Sequence, residues 1–175
     1  GTWKIAREAA RPNLAALELN VTGLRGGHSG LEIDKGRGNA LKIVNRVLLA
    51  LTEQAGARLV ELRGGNKHNA IPREAFAVVC VPKSRAAKAR KLVGQWNKVV
   101  REELASVEPD LQVSVADAST PAPEVFKRKL QKQILQTIAA LPHGVMKMSA
   151  AISWLVETST NVAVITTEGD AVTLV

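Results

Sequence analysis

Cysteine and histidine are scarce in this 175-residue chain, which has one Cys and three His. A single Cys excludes an intramolecular disulfide and a thiolate cage for zinc, and with three His any metal site would have to lean on carboxylates. Aromatic residues make up 3% of the chain, with no Tyr and two Phe, which leaves few platforms for stacking nucleic-acid bases. Long apolar runs are missing too. Val47 to Leu51 and Ala75 to Pro82 fall far short of the roughly 18 residues that a membrane span requires. Gly1-Thr2-Trp3-Lys4-Ile5 holds neither an initiator Met nor a signal-peptide apolar core, and Val162 to Val175 alternates like a strand with no polar tail. Both ends read as cuts, so the expectation is a piece of a larger protein.

What is present suffices for one domain with a buried core, since 46% of the residues are hydrophobic and 23% charged. Lys and Arg number 24 against 16 Asp and Glu, a net charge of +8. That balance permits an acidic partner without demanding one.

Leu17, Leu19 and Val21 alternate with Glu18, Asn20 and Thr22, the period-two pattern of a half-buried strand over Leu14 to Thr22. Six of the thirteen glycines then fall between Gly23 and Gly38, which marks a loop with unusual backbone angles. Leu41, Val44, Val47, Leu48 and Leu51 recur at three and four, predicting a helix over Asn39 to Ala55 closed by Gly56. Strands follow at Ala57 to Leu62, at Glu74 to Val81 after the turn Gly64 to Asn69, and at Leu111 to Ala116. Between the last two, Ser84 caps a second helix with the apolar stripe Ala89, Leu92, Trp96, Val99 and Leu104. The order β-α-β-β-α-β predicts an α/β (α+β) fold, a four-stranded, largely antiparallel sheet with two helices on one face. Ser119 to Pro123 reads as a linker, and Glu124 to Leu141 as a third helix along Phe126, Leu130, Ile134, Ile138 and Leu141. An irregular stretch through Trp154 leads to a hairpin of Val162 to Ile165 and Ala171 to Val175, turning at Glu168-Gly169-Asp170. The expected organisation is a connector over 1–13, a core over 14–118, a linker with the extra helix over 119–160, and a truncated strand pair over 161–175.

The densest candidate for chemistry is Gly23-Leu24-Arg25-Gly26-Gly27-His28-Ser29-Gly30. Glycines let the backbone approach a ligand, and an imidazole held there can donate to a developing oxyanion or an anionic ligand. A surface loop also carries solvated histidines, so the pattern alone leaves both readings open. Asn69-Ala70-Ile71-Pro72-Arg73-Glu74 offers an orienting amide, and Val156 to Asn161 gathers small polar residues, although turn and capping roles account for both. Neither a phosphate loop nor a dinucleotide fingerprint is present, no His-Glu-x-x-His pattern occurs, and Cys80 sits in an apolar strand. Basic residues cluster over Arg85 to Arg101 and at Lys127, Arg128, Lys129 and Lys132, so a non-catalytic module that binds protein or nucleic acid is the alternative class.

Taken together, Val21 to Gly30, Gly36-Arg37-Gly38-Asn39-Ala40, Arg63-Gly64-Gly65 and Asn69 to Glu74 resemble, in order and spacing, the aminoacyl-histidine dipeptidases of metallopeptidase family 20. His143-Gly144-Val145-Met146 and Leu155 to Asn161 resemble the same proteins further along. The resemblance implies a lid or dimerisation domain inserted into a catalytic domain that holds two zinc ions, in a cytoplasmic enzyme hydrolysing short peptides. On that resemblance His28 is the lid histidine that contacts the scissile carbonyl. Asn69 matches an Asn near the substrate carboxylate or the lid interface, and Asn161 is a further substrate candidate; the arginine that grips the carboxylate is expected beyond Val175, so either Arg73 or Arg25 substitutes for it or this chain lacks it. The zinc ligands, bridging Asp and catalytic Glu are expected in the catalytic domain, with no metal held by this chain, which alone is expected to be inactive. The expected partners are a dipeptide substrate, the catalytic domain of the same parent chain and a second copy that pairs sheet edges. Nucleic acid and membrane are not expected partners.

Overall fold

The computed structural model describes residues 1–119 and 122–175, so Thr120 and Pro121 of the expected linker lie outside the described residues. In chain order the elements are β1 (Thr2–Lys4), β2 (Arg7–Ala9), β3 (Leu14–Thr22), β4 (Gly27–His28), α1 (Ala40–Ala55), β5 (Arg58–Gly64), β6 (Ala70–Ile71), β7 (Ala75–Pro82) and α2 (Ala86–Glu103). They continue as β8 (Gln112–Asp117), β9 (Glu124–Phe126), α3 (Arg128–Ala140), β10 (Gly144–Met148), β11 (Val156–Thr160), β12 (Ile165–Glu168) and β13 (Ala171–Leu174).

The expected antiparallel sheet with helices on one face is present, and its four strands lie side by side as β5-β7-β3-β8. The sheet has seven strands rather than four, in the order β1-β13-β12-β5-β7-β3-β8. The expected hairpin does not stand apart. Ile165 pairs with Gly64, so β12 and β13 extend the sheet from the edge of β5. Thr2–Lys4, within the expected connector, closes the outer edge of β13. An unpaired edge is a row of unsatisfied backbone groups, and covering it is favourable even with strands too short to show a period.

Three further expectations are corrected. The third helix begins at Arg128 rather than Glu124, because Glu124–Phe126 pairs with Arg7–Ala9. The fully buried Phe126, counted in a helical stripe, belongs to that strand. Ser84 caps nothing: it lies in a 3-10 turn at Lys83–Arg85 that runs directly into α2, with no side-chain cap. The stretch expected to be irregular forms the hairpin β10–β11 with a bulged register, and its largely exposed strands show no alternation that a sequence could reveal.

α1 forms because its apolar residues fall on one face and both ends are closed. Asn39 Oδ1 accepts from the N–H groups of Leu41 (3.0 Å) and Lys42 (3.1 Å), and Gly56 takes the left-handed conformation at the other end. It lies over β3 and β7, with α2 on the β8 side and α3 on the β5 side. One continuous core results, including Leu19, Leu41, Leu62, Phe126, Ile134 and Val172. Burying a side chain such as Leu62 contributes about 1.5–3 kcal/mol. Among the described residues, no helix is long and apolar enough to cross a membrane.

Candidate functional site

β3 ends at Thr22, and from Gly23 the chain leaves the sheet through the glycine-rich loop to a pair of two-residue strands. Gly27 pairs with Ile71 and His28 with Ala70. Gly26 has a φ of +65°, and a Cβ there would lie 2.9 Å from Ile71 O while running into the Arg73 stem, so a side chain is excluded by both backbone angle and space. The loop is pinned at both ends by Glu108, which is 1% exposed: Oε2 accepts from Arg25 N–H (2.8 Å) and Oε1 from Gly38 N–H (2.9 Å).

His28 is held by its own neighbours. Its Nδ1 accepts from the N–H groups of Gly30 (3.0 Å) and Leu31 (3.2 Å), and its backbone N–H donates to Glu32 Oε2 (2.9 Å). Glu32 is paired in turn with Arg37 at 2.9 Å, and Arg37 also donates to Gly26 O. The His28 amide, followed by the Arg37 charge, holds the Glu32 carboxyl below the usual carboxylate range. With Nδ1 occupied as an acceptor, the neutral ring carries its proton on Nε2, which leaves Nε2–H as the ring's donor.

His28, Asn69, Arg73 and Arg25 line one cavity of about 1000 Å³. Arg63 and Lys67 line it as well. Four cations against the two carboxylates of Glu74 and Glu168 make it suited to an anionic group. Among the described residues neither Arg25 nor Arg73 has a carboxylate partner, whereas Arg63 pairs with Glu61 (3.2 Å) and lies 4.4 Å over the Phe76 ring. Asn69 is exposed on the cavity wall, and its backbone carbonyl accepts from Ser29 N–H (2.9 Å).

Asn161 does not line this cavity. Its Nδ2 donates to Ala70 O (2.7 Å) behind β6, and its Oδ1 lies 3.5 Å from Asn39 Nδ2. Asn39, 3% exposed, also donates to Val162 O (2.8 Å) and meets His143 Nδ1 at 3.2 Å. Burial, reinforced by the nearby Lys42 charge, pushes the His143 imidazole below its ordinary value, so at neutral pH the ring is uncharged and able to accept. The sequence reading missed Glu32, Glu108 and Asn39. Asn39 carries a signal, since it immediately precedes an amphipathic helix in an N-cap position; Glu32 bonds to near neighbours, His28 and Arg37, that no regular pattern marks, and the partners of Glu108 lie 83 and 70 positions away.

Among the described residues, no group of three or more His, Cys, Asp and Glu is placed to hold a metal ion, so the two zinc ions implied by the resemblance find no ligand set here. The arrangement can supply a hydrogen-bond donor and a cationic wall.

Comparison with known proteins agrees with the motifs. The family model described as the peptidase dimerisation domain matches residues 10–108. Over 160 residues, 91% of the chain, it is 36% identical to the cytosol non-specific dipeptidase of Escherichia coli (strain K12), of which the match covers 33%. The crystal structure of the aminoacylhistidine dipeptidase from Vibrio alginolyticus superimposes with a TM-score of 0.94 at 40% identity, covering 99% of this chain and 35% of that one. The chain thus spans about a third of the length of these relatives. With the match running from before β3 to the end of the α2 region, and the glycine loop, the β4–β6 ladder and their cavity inside it, the chain belongs to the peptidase dimerisation domain family.

Proposed function

We propose that this chain is the lid of a cytosolic, zinc-dependent dipeptidase acting on short peptides such as aminoacyl-histidines, and that it contributes His28 to an active site whose remaining groups lie in the rest of the enzyme. The observation that carries this reading is the state of the His28 ring. Two backbone N–H groups occupy Nδ1, so Nε2–H is set as a donor on a side chain that lines a cationic cavity. A donor preorganised in this way stabilises a carbonyl oxygen more strongly as charge develops on it than in the ground state, which is the requirement for lowering a barrier. Arg73 and Arg25, without carboxylate partners among the described residues, hold the substrate's terminal carboxylate, and Asn69 orients it. Metal chemistry belongs to the part of the enzyme this chain does not span, and the chain alone hydrolyses nothing.

In the complete enzyme, His28→Ala lowers kcat by about two to three orders of magnitude, the usual loss for one oxyanion donor, with KM little changed. An unchanged kcat refutes the assignment. The partner implied by the family is a second copy of the chain, paired through the free edge of β8. Light scattering that returns the mass of one copy at all concentrations refutes that contact.

A further inference from the structure

His28 sits on a very small structural unit. The β4–β6 ladder has two residues in each strand and is not part of the seven-stranded sheet. Isolated ladders of this size are not stable by themselves in water, so the position of His28 depends on what ties β6 to the body of the domain. Besides the buried side chain of Ile71, the polar ties are few. Ala40 N–H donates to Pro72 O (3.1 Å) just beyond β6, and Ser159 Oγ lies 3.4 Å from Ser29 O. The shortest is Asn161 Nδ2 to Ala70 O at 2.7 Å. Ala70 is the residue that pairs with His28.

Asn161 is itself fixed from the core side. Asn39, buried at the first turn of α1, places its amide against Asn161 Oδ1 and Val162 O while its own oxygen caps the helix. The resulting relay runs from α1 through Asn39 and Asn161 to Ala70 and His28. We propose that Asn161 is a positioning residue: its side-chain amide, seated by Asn39, locks the strand that carries His28 and so sets where Nε2–H points. This inference rests on the lid reading above for its effect on turnover, but the mechanical link it describes exists independently of that reading. It reassigns Asn161 from substrate contact to support, because the amide donor is used on Ala70 and the residue is absent from the cavity wall.

Asn161→Asp tests the idea, since it keeps the shape, removes the donor and sets a carboxylate oxygen against Ala70 O. In this chain, amide hydrogen exchange at Gly30 and Leu31, whose N–H groups bind His28 Nδ1, is expected to accelerate about tenfold while the amides of β3 and β7 keep their protection. Unchanged exchange at Gly30 and Leu31, or an equal loss across β3 and β7, overturns the proposal. In the complete enzyme the same variant lowers kcat by about tenfold to a hundredfold with KM unchanged, the consequence of a misplaced donor. A raised KM with kcat intact returns Asn161 to substrate binding and also overturns it. Should Asn161→Asp fail to fold, Asn39→Ser keeps a helix cap and deletes the amide donors, and the same two measurements apply. If His28→Ala leaves kcat untouched, the lid reading fails while the exchange result still decides the relay.

Discussion

The helix-covered sheet and the ladder that carries His28 are built on opposite principles. In the sheet, α1, α2 and α3 bury one continuous apolar core against long strands, and position follows from packing. Around His28 apolar burial is confined to Leu24, Ile33 and Ile71; the rest is two strands of two residues, four glycines between Gly23 and Gly30, and side chains of Glu32, Glu108, Asn39 and Asn161 that bond to backbone. Apolar burial is non-directional, so it stabilises the domain without aiming any one atom. Hydrogen bonds contribute little net stability each but fix direction, and a donor intended for a substrate needs direction. A platform of the first kind can bear a site of the second kind without spending its own stability on it.

The sharpest break in that comparison is expected from Leu62→Ala, at a fully buried position of β5. It should cost about 2–5 kcal/mol in urea unfolding, the range for large-to-small core changes, whereas His28→Ala should leave the unfolding midpoint where it is. Equal effects from the two would erase the distinction between platform and site. A smaller loss is expected from Glu108→Ala, which strands the N–H groups of Arg25 and Gly38 at the two ends of the glycine loop. About 1–3 kcal/mol is expected for a stranded buried group, with cleavage by a protease rising first between Gly26 and Gly38. Glu108→Gln keeps one acceptor and should lose less than Glu108→Ala. Protease cleavage that starts in α1 instead would show that Glu108 serves the platform and not the loop.

The platform was the legible part of the sequence. Leu17, Leu19 and Val21 mark β3, Leu41 to Leu51 mark α1, and Gly56 closes that helix, because periodicity and glycine termination are local signals. Illegible were the strands too short for a period, such as Thr2–Lys4 and Glu124–Phe126, and the hairpin β10–β11 whose exposed residues show no alternation. At the site the glycine loop and His28 stood out, as did Asn69 and Arg73, and the structure brings these to one cavity. Asn161 also stood out, but a motif does not say which way an amide faces.

The sequence by itself determined where the four long strands, the helices α1 and α2 and the glycine loop lie, and its motifs in order placed the chain in its family, because each of these is written in residues close along the chain. Only the tertiary structure decided that the sheet has seven strands, that Glu108 pins both ends of the glycine loop, and that the Asn161 amide donates to Ala70 O from behind the cavity. Those outcomes hang on pairs far apart in sequence: Asn39 with Val162 across 123 positions, Asn161 with Ala70 across 91, and Glu108 with Gly38 across 70. Hydrogen bonds of this kind exist only once the core has brought their partners within reach, and no local pattern records them.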